Sequence, residues 1–268
     1  MLIDRQITYG IVLEGGGARG AYQVGAWKAL DELGIKYNAV SGTSVGALNG
    51  SVMTMRDLPL AEEIWNNMTF SQIMDASDEM MRELFKVNLR PSLMGQYIRK
   101  VLDVVKNGGI NTAPLKALLS RAADEDRIRA SDVDFYFPAY CITDRKGYEF
   151  EAKKLPYGKL HDMLLASACF PLFQRQVSDG KRYIDGGVFD SLPIHALISR
   201  GYKNIIVIRL QSTGVIRKVK IPKDANIITI NPSEKLGSVM NFDTERSRRS
   251  FSLGYSDTMN FFSENIIG

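Results

Sequence analysis

The sequence predicts one α/β domain built on a parallel sheet with helical crossovers. Three observations predict it. Within the first 55 residues, short apolar runs alternate with stretches of helical spacing, in the order strand, loop, helix, strand, turn, helix. Parallel neighbours need such crossovers. Two glycine-rich loops, Gly15–Gly20 and Gly42–Gly46, fall at the two strand-to-helix joins. The 268 residues are 45% hydrophobic and 24% charged, enough for a sizeable core and unlike a disordered or fibrous chain. No internal repeat, low-complexity tract or linker divides residues 1–268.

Ile7–Leu13 is short, β-branched and aromatic, and reads as a buried strand. Ala21–Leu33 has helical spacing and stops at Gly34. Ala39–Ser41 is a second strand, and Val45–Met55 an apolar, buried helix. Residues 57–110 are different in kind. They carry Met68, Met74, Met80, Met81 and Met94 with Phe70, Leu84, Phe85 and Leu89, and read as a helical insertion over one end of the sheet. Methionine-rich surfaces adapt to irregular apolar ligands, so this stretch is a candidate lid or acyl-chain wall, with packed helices as the equal alternative. Thr112–Ala123 is a helix with Pro114 in its first turn. Asp134–Ile142 and Tyr148–Ala152 read as strands around a turn at Arg145-Lys146-Gly147, and Lys159–Ala168 as a helix. Tyr183-Ile184 leads into Asp185-Gly186-Gly187; Ile194–Arg200 is a helix ended by Gly201. Asn204–Leu210 and Asn226–Ile230 are strands, and Phe242–Ile266 a terminal helix.

Composition excludes several functions. The net charge of +4 is too weak for a nucleic-acid partner, which needs a dense basic stripe. It is compatible with an anionic membrane surface and equally with no charged partner. The two cysteines, Cys141 and Cys169, are far apart and read as buried thiols rather than a disulfide framework or metal site. Met1–Arg5 lacks the basic and apolar regions of a signal peptide, and no run approaches the roughly 20 apolar residues of a spanning helix. The expectation is a soluble, cytoplasmic protein. Only two histidines, His161 and His195, are available for histidine chemistry.

Gly15-Gly16-Gly17-Ala18-Arg19-Gly20 fits a dinucleotide fingerprint. That reading needs an acidic residue about 20 positions on, where Ala39-Val40-Ser41-Gly42 has none. A plain packing turn is one alternative. The other is an oxyanion hole: amides at a helix start favour negative charge, and Gly16 and Gly17 leave room for it. Gly42-Thr43-Ser44-Val45-Gly46 is G-x-S-x-G at the next strand-to-helix join, where a sharp turn exposes a serine hydroxyl. The plain alternative is a serine N-cap. Both loops would sit at the carboxyl edge of adjacent parallel strands, where open α/β folds bind ligands. A serine nucleophile needs a base. Asp185 is the stronger candidate, against a D-G hairpin turn; His161 and His195 read as surface or core residues. A carboxylate of ordinary pKa ~3.9 is a weak base for a hydroxyl. Burial raises it toward the task.

These elements, in this order, resemble the patatin-like phospholipase family: Gly15–Gly20 (GGGARG), Gly42–Gly46 (GTSVG), Ala166–Phe173 (ASACFPLF), Asp185–Gly187 (DGG) and Leu192-Pro193. The resemblance covers roughly Ile7 to Leu210 and is weakest across 57–110. It implies a three-layer α/β/α fold with a mostly parallel central sheet, and a serine lipid acyl hydrolase with no metal or organic cofactor. Ser44 would be the nucleophile and Asp185 the base, with an acyl-enzyme between two half-reactions. The amides of the Gly15–Gly20 loop, Gly16 and Gly17 first, would hold the oxyanion. Arg19 stands to stiffen that loop or add positive potential, with a structural salt bridge as the plainer alternative. Asp190 is taken as structural, at a turn or cap.

The resemblance implies a lipid or acyl-ester substrate; peripheral membrane contact is an expectation that rests on the basic residues alone. Arg217-Lys218-Val219-Lys220 with Lys223, and Arg246, Arg248 and Arg249, are basic clusters suited to anionic lipid, although such clusters are more commonly solvated faces. The competing function is a non-catalytic or nucleotide-binding α/β domain using the first glycine-rich loop.

Overall fold

A computed structural model describes residues 3–73, 108–170 and 173–267. The expected lid therefore falls, from 74 to 107, outside the described residues, as do Pro171 and Leu172 of the ASACFPLF segment.

The strands are β1 (Ile3–Asp4), β2 (Thr8–Leu13), β3 (Lys36–Gly42), β4 (Asp134–Cys141), β5 (Lys146–Glu151), β6 (Gln176–Ser178), β7 (Lys181–Ile184), β8 (Asn204–Ile208), β9 (Asn226–Ile230) and β10 (Ile266–Ile267). The main sheet runs β6-β7-β4-β3-β2-β8-β9, with β5 also paired to β4. β4-β3-β2-β8-β9 are parallel, and β5, β6 and β7 add antiparallel pairs at one edge. From β2 the chain builds outward through β3 and β4, then returns to lay β8 against the other side of β2. The carboxyl ends of β2 and β8 therefore form a topological switch point, a natural place for a ligand.

Strand periodicity divides the core. Tyr9, Ile11 and Leu13 of β2 and Ile206 and Ile208 of β8 enter one large cluster. Val12, Ile205 and Val207 point the other way, into a smaller cluster with Ala196 and Leu197. The helices over the large cluster include α1 (Ala21–Glu32), α2 (Val45–Thr54), α3 (Leu58–Asn66), α4 (Ala113–Ala122), α5 (Glu125–Ala130) and α6 (Leu160–Ser167). The five-residue α7 (Ile194–Ile198) covers the smaller face, and α8 (Thr244–Asn265) packs along α1. The layers are α/β/α, with a thick and a thin outer layer.

Most expected elements hold within one to three residues at their ends. One turn assignment changes, and the hairpin alternative for Asp185-Gly186 falls away. The two-residue hairpin turn is Asp179-Gly180, both at positive φ, joining β6 to β7. Asp185-Gly186 instead leaves β7 into a turn of 3-10 helix, Gly186–Val188. Lys146 and Gly147 lie inside β5 rather than in its turn; a side chain at Gly147 would strike the Phe189 ring at 2.2 Å. α5 was not anticipated, although Asp124 caps it by accepting the Arg127 N–H at 3.0 Å.

Candidate active site

Ser44 sits between β3 and α2 with φ 56°, ψ −123°, a backbone that a non-glycine residue rarely adopts. Its neighbours explain how the turn closes. A Cβ on Gly42 would stand 2.1 Å from the Gly46 carbonyl oxygen, and one on Gly46 2.4 Å from that of Leu13. Thr43 Oγ1 donates to the Asp190 carbonyl at 2.7 Å, and the Ser44 N–H donates to Ser167 Oγ at 3.2 Å. The Ser44 side chain caps nothing on α2, which removes the N-cap alternative. It donates to Asp185 Oδ2 at 2.6 Å.

Asp185 arrives from β7. Its N–H donates to the Cys169 carbonyl at 2.8 Å, and its Oδ1 accepts the Gly187 N–H at 2.7 Å. The residue is 7% exposed. Burial pushes its pKa up to about 6, against the opposing pull of the Ser44 and Gly187 hydrogen bonds. The carboxylate is thus a stronger base than an exposed aspartate and still ionised at neutral pH.

The glycine-rich loop follows β2 beside Ser44. Its amides are unequal. The Gly15 N–H donates to the Ser191 carbonyl, that of Ala18 to Val239 and that of Arg19 to Gly16. The Gly16 and Gly17 amides have no protein acceptor among the described residues, and both residues line the cavity that holds Ser44 and Asp185. The missing side chains serve packing as well as access: a Cβ on Gly16 would meet Leu210 at 2.7 Å, and one on Gly17 the Val239 carbonyl oxygen at 2.1 Å. Among the described residues Arg19 has no carboxylate within ion-pair distance. It donates to the carbonyls of Leu210, Gln211 and Gly237, so it stiffens the loop without a salt bridge.

Sequence reasoning missed Glu14, which is fully buried at the end of β2. It accepts from the Leu210, Gln211 and Ser212 amides, from Ser212 Oγ and from the Arg209 guanidinium. Glu14 and Arg19 together clamp residues 210–212 from both sides of the backbone. A carboxylate one residue before the glycines was the available signal, and nothing local identified its partners almost 200 residues away.

The cavity has a volume of about 250 Å³ and a mainly apolar wall that includes Val52, Trp65, Met68, Leu119, Phe173 and Phe242. Met68 and Phe70 of the methionine-rich stretch are buried core residues; Met74, Met80, Met81, Met94, Leu84, Phe85 and Leu89 lie outside the described residues. Neither histidine lines the cavity. His161 Nε2 contacts the Ala123 carbonyl at 2.6 Å, and His195 Nδ1 contacts Glu149 at 2.8 Å. Asp190 is buried, with Oδ1 accepting from the Leu192 N–H and burial raising its pKa to about 6. Cys141 and Cys169 are buried free thiols. No helix among the described residues is long and apolar enough to cross a membrane.

The family model described as patatin-like phospholipase matches residues 11–198. The lysophospholipase NTE1 of Cryptococcus neoformans is 26% identical over 207 residues, covering 76% of this chain and 11% of that protein. Rat patatin-like phospholipase domain-containing protein 7 is 27% identical over 215 residues, covering 75% of this chain and 13% of that protein. The chain thus spans about a tenth of the length of these relatives. Among solved structures, VipD from Legionella pneumophila superposes with a TM-score of 0.60 at 16% identity, covering 96% of this chain and 67% of that one. Human GIVD cytosolic phospholipase A2 gives 0.53 at 11% identity, covering 97% and 59%. Those two likenesses carry the fold.

Proposed function

The chain belongs to the patatin-like phospholipase family, and from that premise we propose that it hydrolyses acyl esters of lipids, as a phospholipase A, lysophospholipase or related esterase. The reading rests above all on the 2.6 Å bond from Ser44 Oγ to a buried aspartate of raised pKa, both lining an apolar cavity.

In this reading Ser44 Oγ bonds to the ester carbonyl carbon while its proton passes to Asp185 Oδ2. Negative charge gathers on the carbonyl oxygen, and the free Gly16 and Gly17 amides receive it. Collapse breaks the bond to the alcohol, which leaves with the proton from Asp185. Water then attacks the acyl-enzyme, gives its proton to Asp185 and releases the fatty acid as Ser44 recovers a proton. The apolar cavity takes the acyl chain. The head group lies where the lining is exposed, at Val188, Thr213 and Gly214. The wall is mainly apolar, and the acidic residue that would hold a ribose is missing at Ala39–Gly42, so the lipid reading is preferred over the nucleotide-binding one.

The test is hydrolysis of a short p-nitrophenyl ester and of lysophosphatidylcholine by wild type and Ser44→Ala. Turnover by wild type and its loss in the variant are expected. Equal turnover by both would overturn the proposal.

A further inference from the structure

The cavity lining is exposed at Val188, Thr213 and Gly214, and from there residues 212–223 run as a largely exposed segment without helix or strand. Among the described residues six large apolar side chains are exposed, and four of them fall on this segment or next to it: Val188 (40%), Val215 (53%), Ile216 (46%) and Ile221 (51%). Val188 also lines the cavity, as do Ser212, Thr213 and Gly214. Lys218, Lys220 and Lys223 are exposed on the same stretch. They make no ion pair or hydrogen bond among the described residues, whereas nearby Lys203 is paired with Asp224.

The base of the segment is held firmly. The Ser191 N–H donates to the Val215 carbonyl at 2.6 Å, and the Val215 N–H to the Gly187 carbonyl at 2.9 Å. Arg217 turns inward, 2.7 Å from Glu149 and stacked 5.0 Å over the Phe189 ring. The aliphatic side chains are therefore displayed on a fixed scaffold beside the exposed lining, and the free lysines alternate with them. Apolar side chains held out next to unpaired cations match the boundary between acyl chains and anionic head groups.

We propose that residues 212–223, with Val188, are the surface by which this protein docks on an anionic phospholipid bilayer, with the exposed cavity lining turned toward the lipid. The proposal rests on the lipid-hydrolase reading above and adds the docking surface to it. The attachment is shallow. Val215 and Ile216 enter the head-group boundary, Lys218, Lys220 and Lys223 meet phosphate and carboxylate groups, and a lipid reaches Ser44 without crossing bulk water. Salt weakens the attachment by screening the lysines.

The experiment is vesicle co-sedimentation of the full chain carrying Ser44→Ala, so that the lipid is not consumed. Vesicles are phosphatidylcholine alone, or phosphatidylcholine with about 30 mol% phosphatidylserine, a composition that generates the negative surface potential lysines sense. Binding at least tenfold stronger to the anionic vesicles is expected. Ile216→Ser with Ile221→Ser, and separately Lys218→Glu, Lys220→Glu and Lys223→Glu together, should each lower it more than tenfold. With Ser44 intact, these same surface changes should leave p-nitrophenyl butyrate turnover within about twofold of wild type, since small soluble esters need no interface. Unchanged vesicle binding in both surface variants overturns the proposal, as does equal binding to neutral and anionic vesicles. Wild type that hydrolyses the soluble ester yet binds no vesicle overturns the docking surface alone. Absence of both activities overturns the hydrolase reading beneath it.

Discussion

Replacing Asp185 by asparagine separates the role of this carboxylate in chemistry from its effect on stability. Burial raises its pKa from 3.8 to about 6. Each pKa unit corresponds to about 1.4 kcal/mol, so ionising Asp185 in the folded protein costs about 3 kcal/mol relative to the unfolded chain. Between those pH values the folded form holds a proton that the unfolded chain has released. Wild-type stability therefore falls as pH rises from about 4 to about 6 and then levels off with respect to this group. The amide introduced by Asp185→Asn does not titrate. Because the unfolded group is already about half ionised at pH 4, the stability of Asp185→Asn minus that of wild type should grow by about 2.5 kcal/mol from pH 4 to pH 7.5. Asp190, also raised to about 6, contributes to both proteins and cancels in the difference. Urea unfolding followed by circular dichroism at the two pH values measures it. Ester hydrolysis on the same samples should fall by roughly 10⁴-fold, the scale seen when an essential base is removed. On the proposed mechanism, with ionised Asp185 as the base, wild-type kcat/KM should rise with pH through about 6. A stability difference that is flat with pH, or that shrinks as pH rises, refutes the reasoning about burial.

Other perturbations test other parts of the site. His161→Asn and His195→Asn should each keep most of the p-nitrophenyl ester turnover, because neither ring lines the cavity; loss comparable to Ser44→Ala in a folded variant would replace the dyad by a triad. Gly46→Ala forces a methyl to within 2.4 Å of the Leu13 carbonyl oxygen and should destabilise by about 3 kcal/mol in urea, with turnover falling as the elbow shifts. Glu14→Gln removes the charge that faces Arg209 and three backbone amides and should lower stability by about 3 kcal/mol, read as an earlier urea midpoint. Trp65→Phe leaves Asn49 Oδ1 without the indole N–H that now donates to it at 2.9 Å, and should lower stability by about 2 kcal/mol in thermal unfolding corrected to one temperature.

What could be read from the sequence follows the range of the interactions. β2, α1, β3 and α2 were legible because period-2 and period-3.6 patterns and a glycine stop are local signals. Asp185 was harder. Its tripeptide fits a hairpin turn equally well, and only β7 pairing with β4 brings it to Ser44. The true hairpin, Asp179-Gly180, uses the same dipeptide six residues earlier, so the local code was ambiguous between them. The glycine loop shows a similar limit. Six residues were candidates for holding an oxyanion, but the Gly15 and Ala18 amides are taken by Ser191 and Val239, carbonyls remote in sequence. The role of Glu14 is illegible locally for the same reason. Its partners stand on the loop after β8, placed there by a crossover that no local pattern encodes.

The central claim is that Ser44 is an activated nucleophile, and covalent labelling tests it most directly. Wild-type protein is treated with an alkyl fluorophosphonate, which marks activated serines, and intact mass and peptide mapping are measured. The account predicts one adduct, on the peptide containing Ser44, formed in step with the loss of ester hydrolysis and absent from Ser44→Ala. A folded wild-type protein that takes no adduct, or takes it on another residue while hydrolysis is lost, would contradict it.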